Sequence, residues 1–304
     1  MNIGIYKKVL SRAPKTQIYE ILSEIDTIIS DCDGVMYAGT RSLPYVQETY
    51  KLLRDMGKQF FFYSNSSTKT RKDISLKLES IGIKTEVKNV FTASYVMAHY
   101  VANYHPYIKK VYAIGEEGLY HDLREKGINV IEGNQHNHGI LKWDFLNEIH
   151  MDDDIGAIVM GYDANFNYLK LAITGVLLSR PQCLFLATNS DDYDLIDGHK
   201  HPETGAFIAS IEEFTKRSPD VVVGKPNPIM FNILRERHPE IRPEKTLMIG
   251  DRLDTDMSFA RNSGLKKMLT FSGVTQVKEL ESLLPTDIDY FIHYLGMLYE
   301  GLKL

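Results

Sequence analysis

The stretch Thr27-Ile28-Ile29-Ser30-Asp31-Cys32-Asp33-Gly34 decides the fold prediction, because a short apolar run leads directly into two carboxylates and a glycine. A run that is apolar on both faces is typical of a strand covered by helices on each side of a parallel sheet. In open parallel sheets, ligands bind outside the carboxyl ends of the strands. Asp31 therefore lies where a binding site is expected.

Three further runs end on a polar side chain in the same way. These are residues 59–63 before Ser64, residues 221–224 before Lys225, and residues 246–250 before Asp251. Two carboxylates, one hydroxyl and one amine thus each follow a predicted strand. Because the carboxyl ends of parallel strands meet at one edge of a sheet, we expect these side chains to form one magnesium and phosphate site.

The segment between the second and third of these strand ends, residues 65–224, is far longer than one crossover requires. Its pattern predicts strands near 110–114, 128–131, 155–160 and 183–188, and helices near 117–125 and 168–179. We therefore predict an α/β protein with a parallel-sheet core and an inserted α/β domain. The predicted core comprises residues 1–102 and 220–304, and the predicted insertion comprises residues 103–219.

Composition and charge exclude several classes of function. The chain has 304 residues and a formal net charge of −5, which argues against a general nucleic-acid binder. Its two cysteines, Cys32 and Cys183, do not indicate a disulfide framework and suit a reducing compartment. No apolar run approaches the ~20 residues of a membrane helix, and residues 1–8 lack the apolar stretch of a secretory signal. We expect a cytoplasmic protein without a membrane partner.

The pair Asp31 and Asp33 is predicted to carry the reaction. A carboxylate can attack phosphorus and form an acyl phosphate that water then cleaves, which is the role expected of Asp31. Asp33 would donate a proton to the leaving alkoxide and accept one from the attacking water. An EF-hand calcium loop is excluded because its fifth and twelfth positions are occupied by Val35 and Ser42.

Attack by one anion on another requires a cation. Asp31, the backbone carbonyl of Asp33, and Asp251 offer the hard oxygen ligands that suit Mg²⁺. Lys225 would neutralise both the nucleophile and the phosphoryl group in transfer. Asp256 would orient a metal-bound water or Lys225.

Two neighbouring residues are candidates for binding the phosphoryl oxygens. The Ser64 hydroxyl and the backbone or side-chain amide of Asn65 would each donate a hydrogen bond to them. Gly34 would let the loop after Asp33 turn sharply, so that backbone amides approach the same group.

Four motifs resemble those of the haloacid-dehalogenase superfamily, and in the same order: Asp31-Cys32-Asp33-Gly34-Val35, Ser64-Asn65, Gly224-Lys225-Pro226, and Gly250-Asp251 with Asp256. Residues 111–119, residues 161–163 with Phe166, and residues 186–189 are similar to the cap of its phosphoglycolate, pyridoxal-phosphate and 4-nitrophenyl-phosphate phosphatases. The resemblance implies a Rossmann-like core, a cap that closes over the site, Mg²⁺ as cofactor, and often a homodimer formed through the caps.

The same resemblance implies hydrolysis of a small phosphate ester. Tyr162 lies where family members often place a substrate-facing residue. Together with Asp194 of the loop 191–194, it is expected to select the substrate. That loop lacks the histidine typical of pyridoxal-phosphate phosphatases and also the basic residue that favours an acidic substrate. We expect a phosphoglycolate-like phosphoacid as substrate and activity on 4-nitrophenyl phosphate, with pyridoxal phosphate as the alternative.

Other readings of the motifs are left open. Phosphotransfer to another acceptor, as in a mutase, uses the same nucleophile, whereas dehalogenation does not need Asp33, Asp251 or Mg²⁺. A non-catalytic protein that binds phosphometabolites or serves as a scaffold would not need the intact acid, base and metal residues. Cys32 is predicted to point into the core, with oxidation of the site as a hypothesis.

Overall fold

The computed structural model describes residues 15–137, 149–196, 199–282 and 287–303. The chain forms two compact units. The first unit comprises residues 1–64, 72–91 and 225–304, and the second comprises residues 65–71 and 92–224. These divisions differ from the limits near 103 and 219 predicted from sequence, because the whole helix that starts at Ala93 lies in the second unit. The extent of an independent inserted domain stays a prediction.

The regular elements alternate along most of the chain. The helices are α1 Lys15–Ser23, α2 Val46–Asp55, α3 Arg71–Ser80, α4 Ala93–Tyr104, α5 Glu117–Glu125, α6 Tyr168–Leu178, α7 Thr204–Thr215, α8 Ile229–Arg237, α9 Ser258–Asn262 and α10 Met297–Lys303. The strands are β1 Thr27–Asp31, β2 Tyr37–Ala38, β3 Arg41–Ser42, β4 Gln59–Ser64, β5 Val90–Thr92, β6 Lys110–Ile114, β7 Asn129–Glu132, β8 Ile155–Met160, β9 Leu184–Ala187, β10 Tyr193–Ile196, β11 His199–Pro202, β12 Val221–Val222, β13 Thr246–Gly250, β14 Lys266–Thr270 and β15 Tyr290–Ile292.

The first unit is built on a six-stranded sheet with the order β15-β14-β13-β1-β4-β5. Strand β1 pairs in parallel with both β4 and β13, and its residues are buried. The register sets Asp31 beside Tyr63, the residue before Ser64, and Ser30 beside Ile249, two residues before Asp251. Asp31, Ser64 and Asp251 therefore lie at the same edge of the sheet, as the sequence pattern predicts.

The second unit contains a five-stranded sheet with the order β12-β9-β8-β6-β7, together with the antiparallel hairpin β10–β11. The strands predicted near 110–114, 128–131, 155–160 and 183–188 are confirmed as β6 to β9 within about one or two residues, and α5 and α6 match their predicted positions. The fold class predicted from sequence, α/β with parallel sheets, is confirmed. The hairpin was not predicted, because its residues show no clear alternation of apolar and polar side chains.

One strand assignment is wrong. The sequence pattern places residues 221–224 in the sheet that carries Asp31, but Val221 and Val222 pair with Leu186 and Ala187 of β9. Both sides of β1 are already occupied by β4 and β13. The short edge strand is only half-buried, and it is fastened by the backbone hydrogen bond from the Asp220 amide to the Phe185 carbonyl, 2.7 Å long.

Within the described ranges, no helix is both long and apolar enough to cross a bilayer.

Candidate active site

Lys225 joins two carboxylates at the carboxyl edge of the six-stranded sheet. Its ammonium donates a short hydrogen bond to Oδ1 of Asp31, at the end of β1, and another of 2.6 Å to Oδ1 of Asp256. All three side chains are buried, with Lys225 only 3% exposed. Burial opposes the charge on Lys225, but the carboxylates of Asp256 and Asp31 raise its pKa above the ordinary value. The ammonium is therefore held in its charged form.

Asp256 is fixed by the loop that carries it. Its Oδ2 accepts hydrogen bonds from the backbone N–H groups of Asp251 and Arg252, each 3.1 Å long, while its Oδ1 binds Lys225. The residue lies in a turn of π-helix, Leu253–Met257, directly after β13. The structure thus brings Asp256 to Lys225, the contact that the predicted orienting role requires.

Asp251 completes a group of three buried carboxylates. Oxygens of Asp31, Asp251 and Asp256 lie within 4.8 Å of one another, and Oδ2 of Asp251 accepts a 2.7 Å hydrogen bond from the backbone N–H of Val274. Burial, followed by the charge of Asp256, raises the pKa of Asp251 to about 7. Burial also raises the pKa of Asp31 above its ordinary value, although the Lys225 charge acts in the opposite direction.

When ionised, the three carboxylates outnumber the one lysine that is hydrogen-bonded within their group. The nearby Arg252 guanidinium donates a 2.8 Å hydrogen bond to Asp254, and its charge acts against the rise in the pKa of Asp251. Buried carboxylates in surplus favour binding of a cation, and a cluster of carboxylate oxygens is the donor set that hard divalent cations prefer. The residues present therefore fit a Mg²⁺ ion.

Gly34 shapes the loop that follows the two aspartates of the first motif. It adopts a φ of +78°, and a Cβ atom there would lie 2.6 Å from Oδ2 of Asp251. The turn therefore requires glycine for both its backbone conformation and the close approach of Asp251. The Gly34 amide itself donates a 2.7 Å hydrogen bond to the carbonyl of Tyr37, which closes the turn.

Asp33 differs from Asp31 in its surroundings. Its side chain is 68% exposed, and Oδ2 lies 3.9 Å from Nζ of Lys77. The side chain does not belong to the group of buried carboxylates, so the structure separates it from the site where a metal fits. Exposure gives Asp33 the access to water that an acid–base group needs, and its predicted metal ligand is the backbone carbonyl.

The residues predicted to bind the phosphoryl group and the substrate are divided between the two units. Ser64 ends β4 in the first unit and is half-buried, whereas Asn65, Tyr162 and Asp194 belong to the second unit. The side-chain amide of Asn65 donates a 2.8 Å hydrogen bond to Oδ2 of Asp191. One of the N–H groups that the sequence analysis assigned to phosphate is therefore used within the second unit.

Tyr162 lies among carboxylates in the second unit. Its backbone N–H donates a 2.9 Å hydrogen bond to Oγ of Ser67, and its ring centroid is 6.1 Å from that of Phe207. Burial, followed by the charges of Glu203 and Glu116, raises the pKa of its hydroxyl. Glu203 was missed in the sequence analysis, because the hairpin that brings it towards Tyr162 was not predicted.

Asp194 is exposed on strand β10 of that hairpin. The antiparallel register places it opposite His201 of β11. A histidine is thus present across from Asp194 although the loop 191–194 itself contains none. Sequence spacing alone could have found it only if the hairpin had been recognised.

Cys32 lies between the two aspartates, and its side chain is 1% exposed within the core cluster, as predicted. Burial raises the pKa of its thiol, which lowers the thiolate fraction and hence its reactivity. The hypothesis that oxidation of Cys32 affects the site stays a prediction.

Two protein-family models match the chain and show the family to which it belongs. Residues 28–129 match the family model described as haloacid dehalogenase-like hydrolase, and residues 222–298 match a model described as HAD-hydrolase-like. The chain belongs to the haloacid dehalogenase-like hydrolases. These two matches contain Asp31, Ser64, Lys225 and Asp251, so the predicted motifs lie within the parts of the chain that define the family.

Relatives of this hydrolase are named as phosphatases. It is 38% identical over 283 residues to phosphoglycolate phosphatase 1A, chloroplastic, of Arabidopsis thaliana, covering 90% of this chain and 77% of the relative. It is 33% identical over 271 residues to glycerol-3-phosphate phosphatase of Mus musculus, covering 86% and 84%. A crystal structure of 4-nitrophenylphosphatase from Thermotoga maritima superposes with a TM-score of 0.79 at 26% identity, covering 93% and 99%. The predicted family and the phosphatase class of enzyme are confirmed.

Proposed function

We propose that the chain is a Mg²⁺-dependent phosphomonoesterase that hydrolyses a small phosphate ester through a phosphoryl-aspartate on Asp31. The observation that carries this proposal is the buried group of Asp31, Asp251 and Asp256 around a single lysine. A group of like charges in a protein interior is destabilising, and buried, perturbed carboxylates cluster at functional sites.

In the first step, an oxygen of Asp31 forms a bond to phosphorus and the bond to the ester oxygen breaks. Asp33 gives its proton to the departing alkoxide. In the second step, water attacks phosphorus, its proton passes to Asp33, and the Asp31–phosphorus bond breaks to release inorganic phosphate. Lys225 keeps Asp31 oriented and offsets part of the charge that develops in both steps.

The phosphoryl oxygens would be bound by the Ser64 hydroxyl and the backbone N–H of Asn65. The side chains of Asp31 and Asp251 and the backbone carbonyl of Asp33 would hold Mg²⁺, with Asp256 orienting Lys225 or a metal-bound water. When bound, the ion supplies charge neutralisation between the anionic nucleophile and the anionic substrate.

The test is release of phosphate from 4-nitrophenyl phosphate, with and without Mg²⁺, by the wild type and by Asp31→Asn. We expect Mg²⁺-dependent turnover by the wild type and a loss of at least about 10³-fold in kcat for the variant, because the proposed acceptor of the phosphoryl group is removed. Asp55→Asn, an exposed change at the end of α2, is the matched control and should retain wild-type turnover. An inactive wild type refutes the phosphatase proposal and leaves the non-catalytic alternative. Full activity of Asp31→Asn refutes the nucleophile.

The substrate is proposed more narrowly from the relatives and from the surroundings of Tyr162. The phosphoglycolate phosphatase relative, at 38% identity, supports the phosphoglycolate-like phosphoacid expected from sequence. A second candidate, a polyol phosphate such as glycerol 3-phosphate, is favoured by the carboxylates of Glu203 and Glu116 near Tyr162, which would repel a carboxylate on the leaving group. Pyridoxal phosphate remains the alternative substrate that the sequence resemblance implies.

These candidates can be ranked by kcat/KM on a panel of the three esters. If Tyr162 faces the leaving group, Glu203→Gln should raise the ratio of phosphoglycolate to glycerol phosphate efficiency by about threefold to tenfold, since it removes one negative charge. Glu213→Gln, an exposed change of the same kind in α7, is the control. An unchanged ratio would exclude an electrostatic role of Glu203 in substrate choice.

We further propose a cytoplasmic enzyme that forms a homodimer through residues 103–219 acting as a cap. A free thiol-containing chain with few cysteines suits a reducing compartment. Light scattering at micromolar concentration tests the dimer: a mass of twice 34.8 kDa is expected, and a monomeric mass contradicts it.

A further inference from the structure

The carboxylate of Asp191 receives two side-chain amides in the second unit. Nδ2 of Asn65 and Nδ2 of Asn189 each donate a hydrogen bond of 2.8 Å to Oδ2 of Asp191. An ionised carboxylate can only accept, so both amides must present nitrogen to it, which fixes the orientation of both side chains. Hydrogen bonds to a charged acceptor are about twice as strong as those between neutral groups.

Asp191 is itself held in place by its surroundings. Its carbonyl accepts a 2.9 Å hydrogen bond from the backbone N–H of Gly205 in the first turn of α7. A Cβ atom at Gly205 would lie 2.7 Å from the carbonyl oxygen of Ser190, so only glycine allows this approach. Asn189 is fixed in turn by the hydroxyl of Thr188, 2.8 Å from its Oδ1. The carboxylate therefore occupies a defined position, and Asn65 is attached to it.

Asn65 is the residue that directly follows Ser64. The pair forms the motif to which phosphate binding is assigned in the proposed function, and the side chain of Asn65 is occupied by Asp191 rather than pointing freely. An anchored side chain restricts the backbone of its own residue, which lowers the conformational entropy lost when the backbone N–H binds an anion.

We propose that Asp191 is a positioning residue for phosphate binding: it anchors the side chain of Asn65 and thereby orients the backbone N–H next to Ser64 towards the phosphoryl oxygens. This inference rests on the proposed function, because it assigns Asp191 a part in the same site. Asp191 acts through Asn65 and does not touch the substrate. An acidic residue suits this position because a neutral acceptor would form a weaker hydrogen bond with the Asn65 amide.

The experiment measures the dissociation constant of inorganic phosphate by calorimetry in the presence of Mg²⁺, which does not depend on turnover. We expect Asp191→Ala and Asn65→Ala each to weaken phosphate binding by roughly tenfold, the scale of one charge-assisted hydrogen bond. Asp191→Asn keeps the shape and an acceptor oxygen, so it should recover part of the loss. Asp153→Ala, an exposed change elsewhere in the second unit, should bind as the wild type does.

The double variant Asp191→Ala with Asn65→Ala separates positioning from general loosening of the loop. If Asp191 acts through Asn65, the dissociation constant of phosphate for the double variant is no larger than the larger of the two single-variant values. Additive losses, of about a hundredfold together, would overturn the proposal. So would wild-type affinity in Asp191→Ala. Because Asp191→Ala could unfold the loop, circular dichroism and the thermal midpoint of unfolding are measured for it and for Asp191→Asn. If both variants are folded and both bind phosphate as tightly as the wild type, the positioning role of Asp191 is refuted.

The outcome is distinguishable from that of the proposed function. Hydrolysis by the wild type with unchanged phosphate affinity in Asp191→Ala refutes only the positioning role. Coupled losses of phosphate affinity in a chain that releases no phosphate from any ester refute only the phosphatase proposal. Failure of the wild type to bind phosphate refutes both.

Discussion

Each unit contains a buried lysine among carboxylates, and the two groups differ in their charge balance. In the second unit, Nζ of Lys170 lies 2.5 Å from Oδ2 of Asp163 and 3.0 Å from the carbonyl of Asn165, with Lys170 fully buried. One positive charge there meets one negative charge. In the first unit, Lys225 meets Asp31 and Asp256, and Asp251 lies within the same group.

The difference shows that burial of charge does not by itself mark an active site. The Lys170 pair closes the loop before α6: Asp163 also accepts a 2.8 Å hydrogen bond from the backbone N–H of Asn165, and the pair needs no further ion. The Lys225 group keeps a surplus of negative charge that its own side chains do not offset. A group in which buried carboxylates outnumber the bonded lysine fits a cation, whereas a pair of one lysine and one carboxylate does not need one.

The largest expected effect is that of removing the lysine from the unbalanced group. Lys225→Met should lower kcat on 4-nitrophenyl phosphate by about 10³-fold or more, because the charge that offsets the nucleophile and the phosphoryl group is lost. Lys170→Met makes the same change in the balanced pair. It should leave kcat of the folded protein within about threefold of wild type. Comparable losses of kcat in both variants would contradict the distinction.

The Lys170 pair is also expected to contribute to stability. Lys170→Met leaves Asp163 buried without its cation and should lower the free energy of unfolding by about 3–5 kcal/mol in urea titrations. Adding Asp163→Leu removes the uncompensated charge, so the double variant should regain part of that loss. If Lys170→Met is as stable as wild type, the pair does not support the fold.

A smaller effect is expected from neutralising one carboxylate in each group, measured in a chelator at pH 8. Asp251→Asn relieves surplus charge and should raise the free energy of unfolding by on the order of 1 kcal/mol, a trade of function for stability. Its amide oxygen can still accept the hydrogen bond of Val274. Asp163→Asn should lower stability, because it leaves Lys170 buried without a charged partner. The same sign in both variants would contradict the account.

Much of the first unit follows from its sequence. The apolar runs before Asp31, Ser64 and Asp251 predict adjacent parallel strands, because strands buried on both faces need continuous apolar sequence. The register confirms that these three residues share one edge. Lys225 also bonds Asp31, but Val221 and Val222 before it form β12, an edge strand that pairs with β9 of the five-stranded sheet. Two half-buried valines do not reveal in sequence which sheet they join.

The polar network around Asp191 and the surroundings of Tyr162 could not be predicted in the same way. The contact between Asn65 and Asp191 joins residues 126 positions apart, and no periodic pattern links them. Glu203 and His201 depend on a hairpin whose strands lack alternating apolar residues. The raised pKa of Asp251 likewise depends on packing, because burial is its main cause.

The most direct test of the central claim is calorimetric titration of the chelator-treated protein with Mg²⁺, in the wild type, in Asp251→Asn and in Asp163→Asn. The account predicts one Mg²⁺ bound by the wild type, binding at least about tenfold weaker in Asp251→Asn because a ligand and a charge are lost, and unchanged affinity in folded Asp163→Asn. Equal Mg²⁺ affinity in the wild type and Asp251→Asn, or no binding by the wild type, would contradict the claim that surplus carboxylate charge forms the metal site.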